Sequence, residues 1–104
     1  MIVVTTNEIP GRTISAVIGL ARGNAVRAAH AGHDLKAWFK NVVGGEIAEY
    51  TKLMAESREQ ALDRMIDDAR ARGADAIVGL RFATCEISDG AAEFLAYGTA
   101  VKLG

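Results

Sequence analysis

The chain has 104 residues, of which 50% are apolar and 24% charged, and its formal net charge is −1. That length accommodates one compact domain, residues 1–104, and leaves no room for a second; the near-neutral charge, without an arginine-lysine cluster, excludes the phosphate-neutralising stripe of a non-specific nucleic-acid binder. A single cysteine, Cys85, excludes an intrachain disulfide and fits a reducing, cytoplasmic compartment.

Taken in chain order, Met1-Ile-Val-Val-Thr-Thr lacks the basic start and long apolar run of a signal peptide. Ile2 to Thr5 reads as a short strand, and Asn7 to Gly11, which holds the one proline at Pro10, reads as a turn. Thr13 to Leu20 is rich in β-branched residues and predicts a second strand. The following Gly19-Leu-Ala-Arg-Gly23 predicts a turn, with Asn24 as N-cap of a short helix over Ala25 to Ala31. Gly32 interrupts. Leu35, Trp38, Phe39 and Val42 then fall at i, i+3, i+4 and i+7, one face of a helix over His33 to Val43. Gly44-Gly45 ends it.

The long segment from Glu46 to Arg72 carries Tyr50, Leu53, Met54, Ser57, Ala61, Met65 and Ala69 at helical spacing, with Leu62 and Ile66 widening the stripe. Acidic residues near its start and Arg70 and Arg72 near its end suit the helix dipole. Asp68 and Arg72 form a favourable i, i+4 pair, and Glu56, Glu59, Asp63, Asp67 and Asp68 alternate with Arg58, Arg64 and Arg70 as a solvated surface. Gly73 supplies a helix-ending position with positive φ. Ala76 to Ile87, the turn Ser88 to Ala91, and Ala92 to Leu103 then predict a hairpin of two long strands. On the third strand Ala76, Val78, Leu80, Phe82 and Thr84 share one face, and Ile77, Gly79, Arg81, Ala83, Cys85 and Ile87 the other. Both strands are apolar on both faces. One long helix covers such a hairpin only once, so further copies of the chain are expected to supply the missing cover. The longest nearly apolar stretch, Ile14 to Ala21, is too short to cross a bilayer as a helix.

Asp34-Leu35, Val42-Val43-Gly44-Gly45, Tyr50, the run Gly73-Ala-Asp-Ala-Ile-Val-Gly79 and the closing Gly98-Thr-Ala-Val-Lys102 resemble, in order and over nearly the whole chain, the YbjQ family (UPF0145). This is a small bacterial group labelled a putative heavy-metal-binding domain. The resemblance implies an α+β subunit, with a small antiparallel-rich sheet, one long helix and one or two short ones, that assembles into a ring, a homopentamer. It implies no established reaction. Family members present an acidic Asp-x-Asp-Tyr-Glu series after the Ile-Val-Gly run; here Arg81, Ala83, Thr84 and Cys85 stand in that stretch. Glu46 follows the Gly-Gly where the family carries an arginine. The fold implication survives these changes, but the carboxylates that would bind a cation are gone and Arg81 would repel one.

His30 and His33, three apart beside Asp34, would share one side of a continuous helix and could bind a transition-metal ion with a third ligand from elsewhere, Cys85 being the soft candidate. Gly32 between them and the lack of further ligand-spaced histidines or cysteines weigh the other way, toward two partly exposed histidines beside a subunit contact. Cys85 has neither a Cys-x-x-Cys motif nor an evident base, so a small apolar core residue is expected there rather than a nucleophile. The turn at Gly19 to Asn24 lacks the spacing of a phosphate loop or a dinucleotide fingerprint, so capping is expected rather than anion binding. The Trp38-Phe39 helix, with only Lys36 and Lys40 beside it, fits core or subunit packing better than a membrane surface. The sequence thus points to a non-catalytic, ring-forming protein that binds a small ligand or ion or scaffolds an assembly. The alternatives are a heavy-metal-binding protein using His30, His33 and Cys85 and, third, an enzyme with its site between subunits.

Overall fold

Strand β1 (Ile2–Val3), strand β2 (Ile14–Ala28), helix α1 (Ala48–Ala71), strand β3 (Ala76–Ser88) and strand β4 (Ala91–Leu103) follow one another in the computed structural model, which describes residues 1–28, 48–88 and 91–104. The strands form one sheet in the order β1-β3-β4-β2, with β1 parallel to β3 and the remaining pairs antiparallel. Among the described residues one helix lies against a mixed sheet, the α+β arrangement expected from the sequence.

The period-3.6 stripe of α1 buries as predicted. Ser57, Ala61, Met65 and Ala69 are fully buried, with Met54, Leu62 and Ile66 packed beside them. Ser57 is satisfied by donating to the Leu53 carbonyl one turn back at 2.7 Å. At the carboxyl end, Gly73 takes φ 80°; its N–H donates to Arg70 O at 3.0 Å and that of Ala74 to Ala69 O at 3.1 Å. This paired 6→1 and 5→2 pattern closes the last turn and redirects the chain into β3.

The region after Leu20 differs from expectation. Gly19 to Gly23 is not a turn, Asn24 is not an N-cap, and Ala25 to Ala28 are not helical: β2 runs through all of them, paired with β4 from Ala21↔Gly98 to Ala28↔Ala91. The reason lies in the burial of alternate residues. Ala21, Gly23 and Ala25 face α1 and are buried, whereas Arg22, Asn24 and Val26 face away and are exposed. Small side chains let the helix backbone approach closely: a Cβ on Gly23 would lie 2.7 Å from the Arg64 carbonyl carbon, and it would also overlap Ala61 O and Met65 N. These residues are a packing seam rather than turn chemistry. Residues 29–31, and the predicted helix over 33–43 with Trp38 and Phe39, lie outside the described residues.

The predicted faces of β3 are also corrected. Gly79 adopts φ 65°, and the pairing with β4 shifts between Val78 and Arg81, a bulge that exchanges the two faces. Ile77 and Leu80 therefore both pack toward α1, while Ala76 and Val78 belong to a second cluster on the opposite side. That second cluster is closed with Val101 by Ile2, Val4, Ile9, Ile14 and Leu103. The amino-terminal segment thus covers part of the second face that the sequence assigned wholly to other copies. It does not reach the far half of β3, where residues 81–87 are exposed on both sides. The radius of gyration is 16.9 Å, against about 13 Å for a compact chain of this length.

Candidate functional site

Cleft and edge beside strand β2. The outward face of β2 places Arg22 and Asn24 side by side, opposite Tyr97 and Leu95 of β4. Helix α1 supplies the wall. Arg64, Asp68 and Arg72 are spaced four apart on the flank of the buried stripe, so all three reach the same edge of β2. The Arg64 guanidinium donates to Asn24 O at 2.7 Å, the Arg22 N–H donates to an Asp68 carboxylate oxygen at 3.2 Å, and Arg72 Nη2 donates to Leu20 O. Arg72 also pairs with Asp68 at 2.9 Å, the i, i+4 contact expected from sequence. Alternate residues of an antiparallel strand turn both backbone groups away from their neighbour. On β2 one such group of each residue, Leu20 O, the Arg22 N–H and Asn24 O, is met by this row of helix side chains.

Beside the row lies a cleft of about 570 Å³ lined by Arg22, Asn24, Asp68, Glu93 and Leu95, a size ordinary for small-ligand sites. The Asn24 side-chain amide donates to Glu93 Oε2 at 3.3 Å, which fixes one wall across β2 and β4. One guanidinium, one carboxamide, two carboxylates and an isobutyl group thus face one space. Such a lining presents hydrogen-bond donors and acceptors and charges of both signs to one space.

Of the sequence-derived metal candidates, Cys85 lies on β3 opposite Glu93 of β4. It is exposed, not a core residue as expected, because α1 lies across β2 and β4 and leaves this half of β3 bare. His30 and His33 lie outside the described residues. Among the described residues no group of three or more His, Cys, Asp or Glu side chains is placed to hold an ion. Cys85 and Glu93 alone fall short of the three or four protein ligands of a stable site, so these residues do not by themselves fit a metal centre. No helix among the described residues is long and apolar enough to cross a membrane.

The sequence pattern missed Arg64 and Asp68 as edge-binding residues, since charges alternating along a helix usually mark solvent. A signal was present in their position one step from the Ser57-Ala61-Met65-Ala69 stripe.

A family model for YbjQ proteins, described as putative heavy-metal-binding, matches residues 1–104. The chain belongs to the YbjQ family. A YbjQ relative from Photobacterium profundum, a UPF0145 protein, is 54% identical over 99% of this chain and 100% of its own length. Another UPF0145 protein, from Methanosarcina acetivorans, is 50% identical over 99% of this chain and 97% of its own. YbjQ-type relatives therefore span bacteria and archaea, a wider range than the bacterial group expected. A crystal structure of a Pediococcus pentosaceus protein of unknown function, from the DUF74 family, shares the fold with a TM-score of 0.68 at 16% identity, covering 100% of this chain and 98% of that one.

Proposed function

We propose that this YbjQ-family chain is a non-catalytic, ring-forming homo-oligomer, a pentamer acting in the cytoplasm, that binds a small polar ligand in the cleft beside β2. The observation that carries the reading is the far half of β3, where residues 81–87, including Phe82 at 45% and Ile87 at 55% exposure, have no cover on either face from the described residues. A further copy would bury that surface, and the extended subunit dimensions suit a piece of a larger assembly. The cleft supports the ligand-binding part through its converging Arg22, Asn24 and Glu93 groups.

Sedimentation equilibrium at micromolar concentration tests the assembly: a mass of several 11.0 kDa chains is expected. A single-chain mass would overturn it. Titration with small zwitterions, followed by NMR, tests the cleft. Shifts confined to Arg22, Asn24, Glu93 and Leu95 support the reading, and an unchanged spectrum at millimolar ligand counts against it.

A second reading is favoured by the exposed Cys85 thiol: heavy-metal binding by Cys85 with His30 and His33. This reading predicts that untagged protein takes up about one transition-metal ion per chain on titration, and that the double change His30→Ala, His33→Ala abolishes the uptake. Metal far below one ion per chain, with no uptake on titration, sinks this reading.

A further inference from the structure

The two edges of the sheet are treated differently. Along β2 one outward backbone group of each of Leu20, Arg22 and Asn24 is already bonded, to Arg72, Asp68 and Arg64 respectively, which hinders a foreign strand there. The β3 edge is closed only at its start. There β1 pairs with Ala76 and Ile77, Val4 and Thr6 extend the contact to Leu80, and the Arg81 guanidinium donates to Leu80 O at 2.7 Å and Thr5 O at 2.9 Å.

Beyond Leu80 none of the described residues pairs with that edge. Arg22 stands opposite Tyr97, and Tyr97 opposite Arg81. Because Arg22 turns its backbone groups outward on β2, this alternation turns the N–H and C=O groups of Phe82, Thr84 and Glu86 outward on β3.

We infer that the β3 edge from Phe82 to Glu86 is the seat at which a second copy of this chain docks, adding backbone hydrogen bonds to the sheet. This rests on the assembly reading above and names its contact surface. A copy, rather than a free peptide, suits the site because both faces of the strand need cover as well as its edge. Within the segment the one charge is Glu86, and Arg81 immediately precedes the segment, so the strand from Arg81 to Glu86 has no net charge to repel an identical chain. It also lacks the lysine or proline that guards solvent-facing edges, whereas the middle of the β2 edge is bonded by the chain's own helix.

Thr84→Pro tests the inference, because it removes one outward N–H while leaving the ladder to β4 intact. Phe82→Lys is the companion variant, adding an edge charge. With far-UV circular dichroism unchanged, light scattering is expected to show both variants reduced to the single-chain mass of 11.0 kDa. In the wild type, hydrogen exchange at the amides of Phe82 and Glu86 should slow by about tenfold or more relative to either variant, and that of Thr84 relative to Phe82→Lys. An oligomer whose mass survives both changes, with these amides exchanging freely, overturns the inference and leaves the assembly reading standing. A wild type that runs as one chain overturns both. Protection of these amides in a single chain would show that the chain covers its own edge and would also overturn the inference.

Discussion

Replacing Gly23 by alanine tests the packing seam that holds α1 to the sheet. The added Cβ would lie 2.7 Å from the Arg64 carbonyl carbon, where ordinary contact begins at 3.4 Å, and would overlap Ala61 O and Met65 N. All three are backbone atoms of one helix, so no side-chain rotation relieves the overlap. The helix must lift from β2, and the fully buried Ala61, Met65 and Ala69 then lose part of their contact with Ala21 and Ala25. Two effects oppose each other. Alanine in a strand interior gains about 0.5–1 kcal/mol over glycine through the unfolded chain. Overpacking a close-packed core costs about 1–3 kcal/mol and more where backbone must move. The clash wins: a net loss of about 2–3 kcal/mol is expected, taking the upper end because the contact is backbone to backbone. Urea unfolding by circular dichroism, at one fixed protein concentration so that assembly contributes equally, gives the difference as a lower midpoint. In heat the same loss is roughly 10 °C or more in Tm for a chain of this size. A variant within about 0.5 kcal/mol of wild type, the range of an ordinary surface change, would refute the seam.

Asp68→Ala removes the acceptor of the Arg22 N–H and the partner of Arg72. The side chains are partly exposed, so about 1 kcal/mol or less is expected in urea unfolding. Arg22→Ala keeps the backbone donor and should stay within about 0.5 kcal/mol of wild type; equal effects of the two changes would contradict the edge contact. Gly98→Ala places a Cβ 2.7 Å from Ile77 Cγ2 and 3.0 Å from Val78 O. The Ile77 methyl yields in part, so its measured loss should be smaller than that of Gly23→Ala, and a larger one would reverse the argument. Cys85 is exposed on the far half of β3, so a thiol reagent should modify it without denaturant in Thr84→Pro. Modification only after unfolding would place the thiol elsewhere.

What was legible in the sequence was what period alone encodes. The stripe through Ser57, Ala61, Met65 and Ala69 fixed the long helix and its buried face, and Gly73 marked its end. The two long strands after Gly73 were equally plain. Two of the misread features turn on glycines whose role depends on their tertiary surroundings. Gly19, Gly23 and Asn24 carry the composition of a turn and cap, yet Gly23 is needed because a helix distant in sequence presses on it. Gly79 looks like one more residue in an apolar strand, but its positive φ shifts the register and exchanges the faces beyond it. Cys85 has the character of a core residue and is exposed because α1 crosses the sheet over β2 and β4. Of the candidate site, Arg22 and Glu93 carry no local signal at all. Only the pairing of β2 with β4 and the reach of Asp68 from α1 bring that cleft together.

Native mass spectrometry at low micromolar concentration measures the self-assembly of this chain directly. One dominant species of five 11.0 kDa chains is predicted, with any bound small ligand or metal read as added mass. A spectrum holding the 11.0 kDa chain alone, under conditions that preserve its fold, would contradict it.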